Sequence, residues 1–98
     1  MTGPIIKTSR ETWPLAFEFA DRLPTGATIE SGTVSAVEVR TLVQDNSVLA
    51  DTTAVIDGTQ AKVSLQGGVD GKAYKIRCIV TLDSSHVLEE SAELKIQD

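Results

Sequence analysis

Tyr74-Lys75-Ile76-Arg77-Cys78-Ile79-Val80-Thr81-Leu82 places Tyr74, Ile76, Cys78, Val80 and Leu82 at every second position, against Lys75, Arg77 and Thr81 on the other parity. Successive side chains of a strand point to opposite faces, so the alternation predicts a strand with one face in a core; Ile79 alone breaks its polar face. No other stretch offers so long an apolar face, which makes this the expected central strand of a sheet. Gly67-Gly68-Val69-Asp70-Gly71 reverses the chain before it, and Asp83-Ser84-Ser85-His86 reverses it afterwards. Beyond that turn Leu88, Ala92, Leu94 and Ile96 can share one face of a last strand. Residues 88–95 have high helix propensity, but the period-two run at their end and the short turn before them favour the strand.

Toward the N-terminus, Leu15, Phe17 and Phe19 alternate with Ala16, Glu18 and Ala20, the pattern of a half-buried strand that a turn at Leu23-Pro24-Thr25-Gly26 closes. Residues 29–34 and 37–43 are rich in β-branched side chains and are expected as strands, with Gly32 between them a bulge or a close backbone approach. Ala36, Val39, Arg40 and Val43 also fit one helical face, and β-branching decides for strand. Asp45-Asn46-Ser47 is a turn cluster, with a short strand expected at 47–50. Residues 52–56 and 61–65 flank Asp57-Gly58, a hairpin signal. The first dozen residues form an extended lead-in (1–12) that orders only by docking, ahead of a single domain at 13–98. Short strands at spacings of about 8–12 residues predict an all-β fold, an immunoglobulin-like or fibronectin-III-like antiparallel β-sandwich of about seven strands.

At 98 residues the chain holds one modest core, and its 41% hydrophobic and 23% charged content is that of an ordinary globular protein. Nine basic against fourteen acidic side chains give a net charge of −5, which disfavours nucleic acid as a partner. The single cysteine, Cys78, cannot form an internal disulfide, and a reducing compartment such as a cytoplasm is expected. Met1-Thr2-Gly3-Pro4-Ile5-Ile6-Lys7 lacks the run of about 7–15 apolar residues of a signal peptide, so neither a cleaved export signal nor membrane insertion is expected.

No catalytic, cofactor or metal site is expected from the residue pattern. The only histidine, His86, sits in a turn beside Ser85, and neighbours on a strand face apart, so adjacency makes no dyad. Cys78 lies on the apolar face and reads as a buried, inert core residue. Asp45, Asp57, Asp70 and Asp83 each fall alone in a turn, where turn chemistry explains them better than calcium. Gly67-Gly68-Val69-Asp70-Gly71 lacks the Lys-Ser/Thr ending of a phosphate loop. Glu89-Glu90 reads as a solvated edge rather than an acid–base pair. Trp13 stands at the start of the first strand, where a role capping the core is expected and an exposed interface anchor is the alternative.

Trp13-Pro14-Leu15-Ala16-Phe17-Glu18-Phe19-Ala20-Asp21-Arg22-Leu23, then Gly26-Ala27-Thr28-Ile29, then Leu65-Gln66-Gly67-Gly68-Val69-Asp70-Gly71-Lys72-Ala73-Tyr74 stand in an order that resembles the phage fiber-tail adaptor proteins, short phage and prophage structural proteins with an immunoglobulin-like fold. Phe19, Val34 and Ala27 depart from the family pattern, as does the turn Asp83-Ser84-Ser85-His86. The resemblance implies a non-enzymatic virion structural part, made in the bacterial host cytoplasm, joining tail or baseplate components to fibres. Its implied partners are other phage structural proteins, with a homo-oligomer within the virion also open. The alternative is an immunoglobulin-like or fibronectin-III-like module that recognises a carbohydrate or peptide. Contact is expected through a sandwich edge or end loop. The first strand carries little charge beside the last, with its Glu89, Glu90 and Glu93, so Trp13, Ala16, Glu18 and Ala20 are the interface candidates.

Overall fold

The computed structural model describes residues 4–98 and forms two sheets around one core. Seven strands follow in chain order: β1 (Ile5–Lys7), β2 (Trp13–Glu18), β3 (Ile29–Glu38), β4 (Val55–Asp57), β5 (Gln60–Leu65), β6 (Ala73–Leu82) and β7 (Val87–Ile96). One sheet runs β1-β7-β6-β3, the other β2-β5-β4. All neighbours are antiparallel except β1, which lies parallel to β7. The second, fourth and fifth strands face the third, sixth and seventh, which is the immunoglobulin-like arrangement.

β6 is the centre expected of it, lying between β3 and β7 with Tyr74, Ile76, Cys78, Val80 and Leu82 all buried. The Tyr74 hydroxyl accepts a hydrogen bond from the Val69 backbone N–H at 3.2 Å, a tyrosine at the start of the sixth strand tying down the corner before it. β7 forms as a strand throughout, its helix propensity overridden by pairing with β6 along its length. Burial falls on Leu94 and Ile96, with Leu88 and Ala92 half-buried. The Asp57-Gly58 hairpin is tight: Asp57 pairs with Gln60 across Gly58-Thr59, with Gly58 at φ +62° in the first central place, as a type II′ turn requires.

Three expectations need correction, and of the two readings of Gly32 the close approach is the one that holds. The strand expected at 37–43 is the end of β3, which runs unbroken to Glu38; Leu42 donates back to the Glu38 carbonyl at 2.8 Å and turns the chain, although Val39 and Val43 carry strand-forming side chains. Residues 47–50 make a 3-10 turn at Asn46–Val48 and a single bridge at Leu49, because the Asp45 side chain caps the Ser47 N–H and holds the chain in a turn. The register shift in β3 falls between Ile29 and Ser31, whereas Gly32 is the close approach: a Cβ there would stand 3.2 Å from Val80 and 3.3 Å from Ala54 and Ile56. Residues 52–54 leave β4 to pair with β3, through the Thr33–Thr53 bridge and the Ala54 N–H to Gly32 carbonyl bond of 2.9 Å.

Sheet pairing starts at Ile5, well before Trp13; residues 1–3 of the lead-in lie outside the described residues. Lys7 anchors this segment. Its side chain is buried, and its ammonium donates to the carbonyls of Thr8 (2.9 Å), Glu11 (2.9 Å) and Gly67 (2.6 Å), so three donors meet three acceptors. Burial lowers the Lys7 pKa from its ordinary value, while the charges of Glu11 and Asp98 oppose that shift.

Candidate functional site

A sheet edge exposes backbone donors and acceptors, so the question is which edges this chain closes itself. β3 is closed. Val34 donates to the Thr52 carbonyl (2.8 Å), the Ala36 carbonyl accepts from Asp45 (2.8 Å), the Ala36 N–H meets the Asn46 side chain (3.0 Å), and Glu38 donates to the Val43 carbonyl (2.9 Å).

β7, the acidic edge of the sequence reading, is covered by β1 over Leu94–Ile96. Its remaining stretch is guarded. Arg22 reaches across from the 3-10 turn after β2 to the Glu89 carbonyl and pairs with the Glu90 carboxylate at 2.8 Å, while Glu89 and Glu93 stand exposed.

β2 is the open one. It pairs only with β5, from Trp13 opposite Leu65 to Glu18 opposite Gln60. Phe19 donates to the Thr59 carbonyl at 3.0 Å, so by strand alternation the backbone groups of Trp13, Leu15 and Phe17 turn toward β5, and those of Pro14, Ala16 and Glu18 turn outward. Pro14 therefore sits where a missing N–H is tolerated, on an outer edge. Among the described residues, no hydrogen bond reaches the outward groups of Ala16 or the Pro14 carbonyl.

The four interface candidates fall in different places. Trp13 is 46% exposed, so the core role expected for it gives way: it begins β2, opposite Leu65. Ala16 is exposed at the middle of the open edge. The Glu18 carboxylate is turned onto its own turn, accepting from the N–H groups of Phe19 (3.0 Å) and Ala20 (3.2 Å) and from the Thr59 hydroxyl (2.6 Å). That hydroxyl bond leads in holding its pKa below the ordinary value. Ala20 lies in the 3-10 turn Ala20–Arg22, off the strand. Sequence reasoning passed over Pro14, although a proline inside a strand pattern is itself an edge signal. On the outer face, Pro14, Ala16, Val55, Lys62 and Ser64 line a shallow groove of about 630 Å³, and the Lys62 ammonium is held by Asp57 at 2.8 Å.

The reactive side chains are placed apart from this edge. Cys78 is fully buried and burial pushes its thiol up to about 11. His86 is exposed, with its Nδ1 2.9 Å from the Ser84 hydroxyl. The turn carboxylates serve their own neighbourhoods: Asp45 takes the Ser47 N–H, Asp70 the Asp98 N–H, and Asp83 the Thr28 N–H. No helix among the described residues is long and apolar enough to cross a membrane.

No curated protein matches the chain. The family model of Podophage GP4 fiber-tail adaptor protein gp77 matches residues 7–95. That match runs from the end of β1 nearly to the end of β7, taking in the whole of the open edge and the core behind it, and the chain belongs to this family of phage fiber-tail adaptors.

Proposed function

We propose that this chain, a tail-associated structural component by family, works without catalysis, joining tail or baseplate components to fibres by protein–protein contact on the β2 edge. The observation that carries the reading is the outward row of Pro14, Ala16 and Glu18 on a strand with one neighbour, in a sandwich that closes β3 and guards β7. Unpaired backbone groups beside uncharged side chains favour strand addition. The buried thiol and the exposed, turn-held histidine supply no nucleophile–base pair, which supports a non-enzymatic role. The net charge of −5 supports protein rather than nucleic-acid partners. The chain is made in the host cytoplasm and assembled into the virion.

Sedimentation of particles and tail intermediates after phage induction tests this. The wild-type chain is expected to travel with them, Ala16→Pro to be lost from them, and Glu89→Lys to be retained. Absence of the wild-type chain from every particle fraction, or binding to glycans in its place, would overturn the adaptor reading.

A further inference from the structure

We propose that the place beside β2 is a vacant strand position, filled by an extended, uncharged segment of about five residues from another polypeptide. This rests on the reading of β2 as the contact edge and specifies what pairs there. In the seven-strand immunoglobulin plan the first strand lies beside the second, completing a four-stranded sheet. Here β2, β5 and β4 form that sheet with three strands, while β1 has gone to the other sheet to lie parallel to β7. The first-strand place has no occupant among the described residues.

The groups that face this place fix the pairing. Ala16 offers both its N–H and its carbonyl; Pro14 offers a carbonyl and no donor. An incoming antiparallel segment therefore exchanges two bonds at Ala16, accepts from the outward Glu18 N–H at one end, and gives one N–H to Pro14 at the other, so it carries no proline opposite Pro14 or Ala16. Charge fixes the side chains. From Trp13 to Phe17 the edge bears no ionisable group, Glu18 is turned back onto its own turn, and Lys62 is held by Asp57. Nothing at this edge pairs a buried charge on the segment, so a neutral one fits.

Burial sets the alternation. Leu15 on β2, Leu88 and Ala92 on β7 and Ile5 on β1 all stand on strands of this side and are only half-buried against the core. Side chains of the segment turned inward would complete their burial and are therefore apolar; those turned outward pass small Ala16 and meet solvent. β7 does not compete for the segment, since Arg22 holds the Glu89 carbonyl and three carboxylates surround it.

The test uses the full chain and a capped heptapeptide alternating valine with threonine, with a second peptide N-methylated at every residue, and so with no N–H on either edge, as control. Saturating peptide is expected to slow amide hydrogen exchange at Ala16 and Glu18 by roughly tenfold or more, and the methylated peptide to leave it unchanged. Ala16→Pro is expected to lose peptide binding while Ile76, Cys78 and Val80 keep their protection, which separates lost pairing from lost folding. Unchanged exchange at Ala16 and Glu18 in millimolar peptide would overturn the proposal. So would slowing confined to Ser91 and Glu93. Protection without peptide that grows with protein concentration, together with a doubled sedimenting mass, would give the place to a second copy of this chain and overturn an external segment. If the peptide fails while the wild-type chain still travels with particles, strand addition falls and the adaptor reading stands.

Discussion

Along β3 the chain seals its own sheet edge; on the β1–β2 side it covers three residues of β7 and leaves β2 bare. Both sides enclose the same core, so the difference lies in the connections. Residues 39–54 are long enough to fold back along β3 and satisfy Val34, Ala36 and Glu38 in turn. Residues 8–12 make one crossing from sheet to sheet and have nothing to spare for β2. An edge left open is then managed by side chains: Pro14 removes a donor from β2, and Arg22 occupies an acceptor on β7.

The two sides share one core, and Cys78→Asp is the change that should disrupt it most. A carboxylate in the centre of β6 is expected to cost about 3 kcal/mol or more in urea unfolding, against about 1–2 for Cys78→Ala. The native thiol, buried and pushed up to about 11, should stay unlabelled by a thiol reagent at pH 8 until the protein unfolds. Rapid labelling of the folded protein would mean the two sides are not joined by a closed interior.

Next in size, Lys7→Met tests what holds the open side. It leaves the carbonyls of Thr8, Glu11 and Gly67 without their donor, for an expected loss of about 2–3 kcal/mol. Hydrogen exchange should quicken first at Lys95 and Gln97; the latter donates to the Lys7 carbonyl at 3.0 Å. A uniform rise in exchange across both sides would deny Lys7 a local role. On the sealed side Gly32→Val places new carbon against Val80, Ala54 and Ile56 and is expected to cost about 1–3 kcal/mol. If Gly32→Val proved as mild as a surface change, the sealed side would be the looser of the two.

What could be read from the sequence follows the same division. β6 and the Asp57-Gly58 hairpin were legible because period and turn chemistry are local. β7 was legible against its helix propensity because Leu94 and Ile96 keep the period of two through its end. The sealing loop was not, since Val39 and Val43 are strand-forming residues held in a turn by contacts with Glu38. Nor was Lys7: a single lysine in a lead-in has no period, and one of its acceptors, Gly67, lies sixty residues away in sequence. Which strand would be left at an edge depends on pairing between distant segments, and the local hints of it were the low charge of the first strand and Pro14.

The smallest expected effect lies in the loop that seals β3. Leu42 sits at φ +59°, in the left-handed region, while its N–H is fixed to the Glu38 carbonyl at 2.8 Å and its side chain is 76% exposed. That backbone conformation costs an L-residue about 1–2 kcal/mol, and the exposed side chain returns little of it through burial. Leu42→Gly removes the strain but adds chain entropy to the unfolded state, about 0.5–1 kcal/mol, so the net is a gain of up to about 1 kcal/mol. Leu42→Ala keeps the strain and removes the same exposed surface, and should be close to neutral. A gain from glycine alone would show that the chain closes this side at the expense of backbone strain. Equal effects from both would put the cause in the side chain, and a loss from both would make Leu42 part of the seal itself.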